Sequence, residues 1–346
     1  MRRRCAPTGS RTTRSDDDVS TVLVTGGAGY IGSHAVRALR AARHTVVVFD
    51  SLAAGHRAAV GDATLVEGDV RDTGLVEATL RRHTVTAVMH FAALLSVGES
   101  VREPARYYDN NVRGSLSVLD AMVAASVSRF VLSSTCAVYG DPVTTPLDEE
   151  HPTNPINAYG ESKLVVERAL GHYGRAYGLH SIALRYFNAA GADPEGDLGE
   201  DHDPEIHLIP RAIEAACGGA PLQLFGCDHP TPDGTCQRDY VHVSDLARGH
   251  LLALEALDSG PTTRVYNIGT GHPHSVREVI AAVERVTGRP VPATAAPRRA
   301  GDPAVLYAAA DRIGRDLGWQ PAYVRLDDVV ETAWRWHAAH PHGFEG

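Results

Sequence analysis

The stretch TVLVTGGAGYIGSHAVRALRAARHTVVVFD, residues 21–50, reads as an apolar strand, a glycine turn, an amphipathic helix and a second apolar strand. About 30 residues for strand, helix and strand is the length of one βαβ unit, whose two strands lie parallel in one sheet. The alternation continues through ATLVEGDV (63–70), the helical TGLVEATLRRH (73–83), VTAVMHFAA (85–93) and, after a long helical stretch, RFVLSSTCAVYG (129–140). Strands that alternate with helices specify an α/β fold with a doubly wound, Rossmann-type parallel sheet.

Past residue 190 the pattern breaks at GADPEGDLGEDHDPE (191–205) and GCDHPTPDGTCQRD (226–239), whose Gly, Pro and Asp clusters read as loops of a smaller α/β lobe. Helix and buried-strand character return in YVHVSDLARGHLLALEAL (240–257) and VYNIGTG (265–271). The expected division is therefore a tail over 1–20, a dinucleotide-binding domain over 21–190 with return segments near 241–270, and a ligand-binding lobe that takes up most of 191–346.

A chain of 346 residues with 43% hydrophobic residues can build a full core without staples. Its five cysteines, Cys5, Cys136, Cys217, Cys227 and Cys236, are odd in number and contain no CxxC pair. That usage fits a reducing, cytoplasmic setting and neither a disulfide framework nor a zinc site, so no metal is expected. No apolar run approaches the roughly 18–20 residues that cross a bilayer, and mean hydropathy is −0.17. The net charge of −9, without a basic stripe, argues against nucleic acid and anionic membrane as partners. The opening MRRRCAPTGSRTTRSDDD is basic and Ser/Thr-rich but has no apolar segment behind it, so it reads as a disordered tail rather than a secretory signal.

Within TGGAGYIG (25–32), Gly26, Gly29 and Gly32 stand at G-x-x-G-x-x-G spacing between a strand and a helix. Small residues there let the backbone turn tightly, let a pyrophosphate approach the free N–H groups of the helix, and let helix pack on strand. The second strand ends in Asp50, placed to accept hydrogen bonds from both hydroxyls of an adenosine ribose and to repel a 2′-phosphate. The expected cofactor is NAD rather than NADP.

Of 33 basic residues, Lys163 is the only lysine, and it lies four positions after Tyr159 in AYGESKL (158–164). On a helix that spacing puts both side chains on one face. Ionising a phenol of pKa near 10 at pH 7 requires about 4 kcal/mol. A positive charge about 5 Å away supplies roughly 3 kcal/mol at an effective dielectric of 20. A compact ammonium reaches ribose and phenol together where a guanidinium fork does not fit. Thr135, at the end of RFVLSST, is a candidate donor to a substrate oxygen, although ordinary turn chemistry accounts for it equally well.

The ordered set TGGAGYIG, HFAA, VGES, YYDNNVRG, SSTCAVYG, YGESK, RYFN and RDYVHV resembles the extended short-chain dehydrogenase/reductase family, and within it the UDP-glucose 4-epimerase branch. The similarity runs from residue 21 to about 345, and YYDNNV, GTCQRDYVHVSDLA and PRRAGDPA are its most specific parts. It implies that Tyr159 removes the proton from the sugar 4-hydroxyl, with Thr135 on that oxygen, while hydride passes from C4 to NAD and returns to the other face. It also assigns Tyr30, Ile31, Asp69, Val70, Phe91, Ala92, Asn110 and Phe187 to the NAD site beside Gly26, Gly29, Gly32, Asp50, Tyr159 and Lys163. Asn188, His207, Phe225, Arg238, Tyr240, Arg299, Asp302 and Leu306 fall on the UDP-sugar site with Thr135. The resemblance further implies a homodimer through helices around 101–125 and 160–178.

Three departures bear on these expectations. Leu95 stands where some bacterial relatives have lysine, His207 where others have asparagine, and Leu306 at a position that separates strict hexose epimerases from those that accept N-acetyl sugars. Competing readings are another nucleotide-sugar epimerase or decarboxylase on the same scaffold and a non-catalytic NAD-binding redox sensor. A dehydratase needs an acid pair beside the threonine, where this chain has Cys136 and Ala137.

Overall fold

In the computed structural model, residues 19–257, 263–299 and 303–345 are described. The expected tail lies almost wholly outside the described residues, as does Asp302. In chain order the strands are β1 (Thr21–Thr25), β2 (Thr45–Asp50), β3 (Thr64–Glu67), β4 (Ala87–His90), β5 (Arg129–Thr135), β6 (His180–Tyr186), β7 (Asn188–Ala190), β8 (Leu222–Phe225), β9 (Gln237–His242), β10 (Thr263–Ile268), β11 (Pro273–Ser275), β12 (Ala293–Ala296) and β13 (Val305–Leu306). The helices are α1 (Tyr30–Ala41), α2 (Thr73–Arg82), α3 (Val97–Arg102), α4 (Pro104–Tyr107), α5 (Gly114–Ala124), α6 (Ala158–Tyr177), α7 (Leu208–Ala216), α8 (Val243–Ala256), α9 (Val276–Thr287), α10 (Asp311–Leu317) and α11 (Leu326–Ala339).

Seven parallel strands form the main sheet in the order β10-β6-β5-β4-β1-β2-β3. The winding direction reverses between β1 and β4, and in open parallel sheets ligands bind at the carboxyl ends of the strands that flank such a reversal. The near-continuous apolar runs of β1, β2 and β5 follow from this burial on both faces: Leu23 and Phe49 pack into one core, Val22, Val24 and Val131 into the other. Helices α1 and α8 pack together on one face, α2, α5 and α6 on the other. Strand β10 belongs to the main sheet, in register against β6 from Thr263↔Ser181 to Ile268↔Tyr186.

The second lobe has its own core, with Ile209, Ile213, Val279, Val283, Val329 and Val330 buried among α7, α9 and α11. A small sheet joins the lobes: β7 and β13 pair with β9 in parallel and β11 pairs with it antiparallel. No helix among the described residues is long and apolar enough to cross a membrane.

Candidate active site

The glycine turn sits at the β1/β4 reversal. Gly26 has φ +72°, and a Cβ on it would lie 2.5 Å from the Ala92 backbone nitrogen; on Gly32 it would lie 2.1 Å from the Gly26 carbonyl oxygen. Both glycines are required by close approach of backbone to backbone. Gly29 differs, because a Cβ there would meet only the Gly26 oxygen at 3.5 Å. The space it leaves faces the N-terminus of α1, which has no side-chain cap and no acidic residue in its first turn. Unfilled N–H groups beside such room suit a pyrophosphate. Asp50 completes the cradle: its two carboxylate oxygens accept from Ala28 N at 3.0 Å and Leu52 N at 2.9 Å. Each oxygen keeps a second lone pair for a ribose hydroxyl. The residues present therefore fit a dinucleotide.

The other sequence-assigned cofactor residues divide. Phe91 lies 4.6 Å from the His250 ring, Val70 is buried against Gly114, and Asp69 is held by Arg71, whose side-chain hydrogen bonds keep its carboxyl below the usual range. Ile31 packs on the core under α1, and the Ala92 N–H donates to Thr25 O at 3.1 Å. The Tyr30 side chain turns away, donating its hydroxyl to Gly191 O at 2.6 Å, which leaves its backbone N–H at the helix start. Asn110 donates to Asn111, and Asn111 binds both backbone atoms of Leu94 and the Ser162 hydroxyl. Leu95, at the lysine position of some relatives, is exposed.

Helix α6 presents Tyr159 and Lys163. Asn157 caps its start by accepting from Gly160 N at 2.8 Å, and Gly178 ends it at φ +70°. Gly160 permits α6 to rest on the turn after β5, since a Cβ there would lie 2.4 Å from the Ala137 carbonyl oxygen. That contact sets the Tyr159 phenol beside the Thr135 hydroxyl. Burial raises the phenol to about 12, and the polar Thr135 hydroxyl beside it opposes the rise. The buried Lys163 ammonium donates to Ser133 O at 3.0 Å; burial lowers its pKa to about 8, against the Glu167 charge. The ammonium is thus anchored to the β5 backbone, with the Glu167 charge one helical turn on. The ammonium charge also reaches His90, which bonds Thr25 Oγ1 at 2.7 Å just before the glycine turn. Only β4 separates β5 from β1, so the catalytic candidates and the nucleotide cradle stand at nearby strand ends.

One helical turn after Lys163, the buried Glu167 accepts from Arg185 Nε at 3.0 and 3.2 Å, from Arg185 Nη2 at 2.5 Å and from the Ser134 hydroxyl at 2.5 Å. Arg185 also lies 4.9 Å over the Tyr139 ring. This pair fixes α6 against β5 and β6. Glu167→Gln keeps the shape but leaves the guanidinium charge uncompensated in the core. The expected loss is about 2–3 kcal/mol in urea denaturation, and a midpoint equal to wild type would exclude the structural role.

On the second lobe, register brings distant residues together. Asn188 is the β7 partner of Tyr240, and Leu306 the β13 partner of Arg238. Leu306 packs against a cluster that contains Cys136 and Phe187, beside Thr135. His207, Asn188 and Tyr240 line a cavity of 20 Å³. Arg299 lies 3.8 Å over the Phe225 ring, which holds the guanidinium at the lobe surface.

Several residues of this neighbourhood were missed in the sequence reading. Asp239, fully buried, accepts from Thr270 N and Oγ1, Gly271 N and Ala308 N at 2.6–3.2 Å, and so fixes the loops around Arg238 and Tyr240. A carboxylate between two ligand candidates in a strand points to the opposite face, and that alternation was the available signal. Tyr186, within RYFN, hydrogen-bonds the Ser133 hydroxyl and senses the charge of Tyr159.

The chain matches the NAD dependent epimerase/dehydratase family over residues 22–269. It is 49% identical over 324 residues to the UDP-glucose 4-epimerase of Halalkalibacterium halodurans, covering 93% of this chain and 97% of that one. Among solved structures, it resembles the UDP-glucose 4-epimerase of Brucella ovis in complex with NAD, at 48% identity and TM-score 0.89, with 91% and 98% of the chains covered. The Bifidobacterium longum enzyme in complex with NAD+ and UDP is 39% identical at TM-score 0.90, covering 94% and 100%. A glycine turn at the sheet reversal, a ribose-ready Asp50 and a Tyr-x-x-x-Lys helix on the same pocket agree with that match along the whole fold, and the chain belongs to the NAD dependent epimerase/dehydratase family.

Proposed function

We propose that the protein interconverts UDP-glucose and UDP-galactose by inverting sugar C4 through a 4-keto sugar. NAD, when bound, takes up hydride and gives it back, so no net redox change results. The carrying observation is the Gly160–Ala137 contact that sets Tyr159 of α6 beside Thr135 at the end of β5, with Lys163 held to the same strand through Ser133 O and the glycine turn two strands away in the sheet. Tyr159 accepts the proton of the 4-hydroxyl, and Thr135 orients that oxygen. Lys163 holds the β5 end through Ser133 O and faces the ribose and phenol with its positive charge. Asn188, His207, Phe225, Arg238, Tyr240 and Arg299 hold the nucleotide diphosphate, the arginines by charge-assisted hydrogen bonds. Leu306, against Cys136 and Phe187, bounds the space for the sugar.

Incubating the purified protein with UDP-galactose without added NAD tests the reading. Appearance of UDP-glucose supports it, and no conversion even with NAD supplied overturns it. UDP-N-acetylgalactosamine in parallel shows whether Leu306 admits the larger sugar.

The glycine turn gives a separate prediction. Gly29→Val has room within the protein but fills the phosphate approach, so it should fold normally and lose retained NAD. Gly32→Ala should instead destabilise the fold through its contact with Gly26 O. Calorimetric unfolding and cofactor release on denaturation separate the two. Equal NAD content in Gly29→Val and wild type would refute the cradle.

The finer partner reading is a homodimer. Exposed Val97, Val101, Tyr108 and Tyr177 on α3, the turn after α4, and α6 support pairing of two copies there. Light scattering should give twice the 36.9 kDa chain mass, and Val101→Glu should give the single mass.

A further inference from the structure

We propose that Glu200, His202, Glu205 and His207 form a divalent-metal site, suited to Zn2+, on the segment that leads into α7. This goes beyond the epimerase reading and does not depend on it. The donor atoms of all four side chains lie within 4.8 Å of one another. His202 Nδ1 is 3.1 Å from Glu200 Oε1 and 3.9 Å from Glu205 Oε2. His207 Nδ1 is 3.8 Å from Glu205 Oε1 and contacts Glu200 Oε1 directly. Four ligands about 2.0–2.2 Å from a tetrahedral centre stand roughly 3.3–3.6 Å apart, within the observed spread.

The chemistry of the set agrees with the geometry. Two carboxylates neutralise a divalent charge, and two imidazoles supply the nitrogen donors that zinc accepts. Glu200 is 3% exposed, so a cation here has a largely dry side. His202 Nδ1 is buried without a hydrogen-bond partner among the described residues, although it faces the Glu200 carboxylate. Glu205 is pre-set as well, because its Oε1 accepts from Ile206 N at 2.7 Å and His207 N at 2.8 Å. Such outer hydrogen bonds orient metal ligands. The expectation of no metal rested on the cysteines, which lie elsewhere; E-x-H-x-x-E-x-H within eight residues carries this site instead.

Position gives the site a consequence. Glu200 and His207 also line the small cavity with Asn188 and Tyr240, so a bound ion pins the wall of the nucleotide lobe. On the other side, the His202 ring packs edge-on to Tyr30 at 6.3 Å, at the start of α1.

The test uses the full-length protein after chelator treatment and dialysis, titrated with Zn2+ by calorimetry and with Co2+ by visible absorption. The expected result is one Zn2+ per chain, a raised thermal midpoint, and intense tetrahedral bands with Co2+. Mg2+ should produce no shift. Glu205→Gln keeps the loop shape, and circular dichroism verifies its fold; it and His202→Ala should each weaken Zn2+ by at least about tenfold. Absence of stoichiometric binding overturns the site. So does Zn2+ affinity unchanged in both variants, which would place the metal on other histidines.

Discussion

Tyr159→Phe should lower the turnover of UDP-galactose by about a thousandfold while the protein folds normally and retains its NAD. Positioned proton transfer contributes roughly 10²–10⁴ in rate, and this substitution removes the acceptor and nothing else. The 4-hydroxyl cannot give up hydride from its carbon while its proton has no destination, so both directions of the interconversion stop together. Burial already holds the phenol near 12, and the neighbouring Thr135 hydroxyl opposes that rise only in part. The variant should accordingly lose the pH-dependent limb of the wild-type rate that reports phenol ionisation. Steady-state rates between pH 6 and 9, with NAD content measured after denaturation, decide the matter. Turnover within tenfold of wild type would sink the assignment of Tyr159 as the base and revive the non-catalytic dinucleotide-binding reading.

The make-up of that pocket was legible in the sequence to the extent that local spacing sets it. Residues 21–50 specify strand, turn and helix by apolar pattern and glycine spacing, and the strand–helix alternation implies a parallel sheet, while the strand order came only with the fold. Tyr159 and Lys163 share a helix face at four-residue spacing wherever the helix goes. What spacing does not carry is depth. It put Lys163 on the Tyr159 face of the helix but not the backbone anchor, Nζ 3.0 Å from Ser133 O, or the Glu167 charge one turn on. Gly160, which sits inside the YGESK motif, lets α6 approach the Ala137 carbonyl closely enough to make this arrangement. Its role depends on a contact with a residue 23 positions away, and single-sequence periodicity has no access to that. The same limit hid the pairing of Asn188 with Tyr240, set by the register of β7 on β9. The Glu167–Arg185 pair escaped notice because charged residues in a helix and a strand are usually solvated.

Lys163→Met should abolish turnover and at the same time stabilise the cofactor-free protein, which separates what this residue does for chemistry from what it does for folding. Burial brings its pKa from 10.5 down to about 8, although the Glu167 charge pulls the other way. The native state thus holds the proton less tightly than the unfolded chain. Below pH 8 the full penalty for a buried ammonium is present, and it fades as pH rises from 8 to 10.5, where the unfolded chain alone remains protonated. Methionine has a similar length and no charge to desolvate, so at pH 7 it should raise stability by about 1–3 kcal/mol, less whatever the lost bond to Ser133 O contributed. The advantage should shrink across pH 8 to 10.5, a signature that improved packing alone would not give. Turnover should fall about 10²–10⁴-fold, because no cation remains to lower the phenol. Lys163→Arg tests the shape requirement: it keeps the charge but puts a planar fork where the site offers one carbonyl at 3.0 Å, and should lose both stability and turnover. Urea titrations of the cofactor-free proteins and initial rates with saturating NAD give both readouts. An arginine variant that turns over like wild type would show that charge alone suffices, and the only lysine in the chain would need a different explanation.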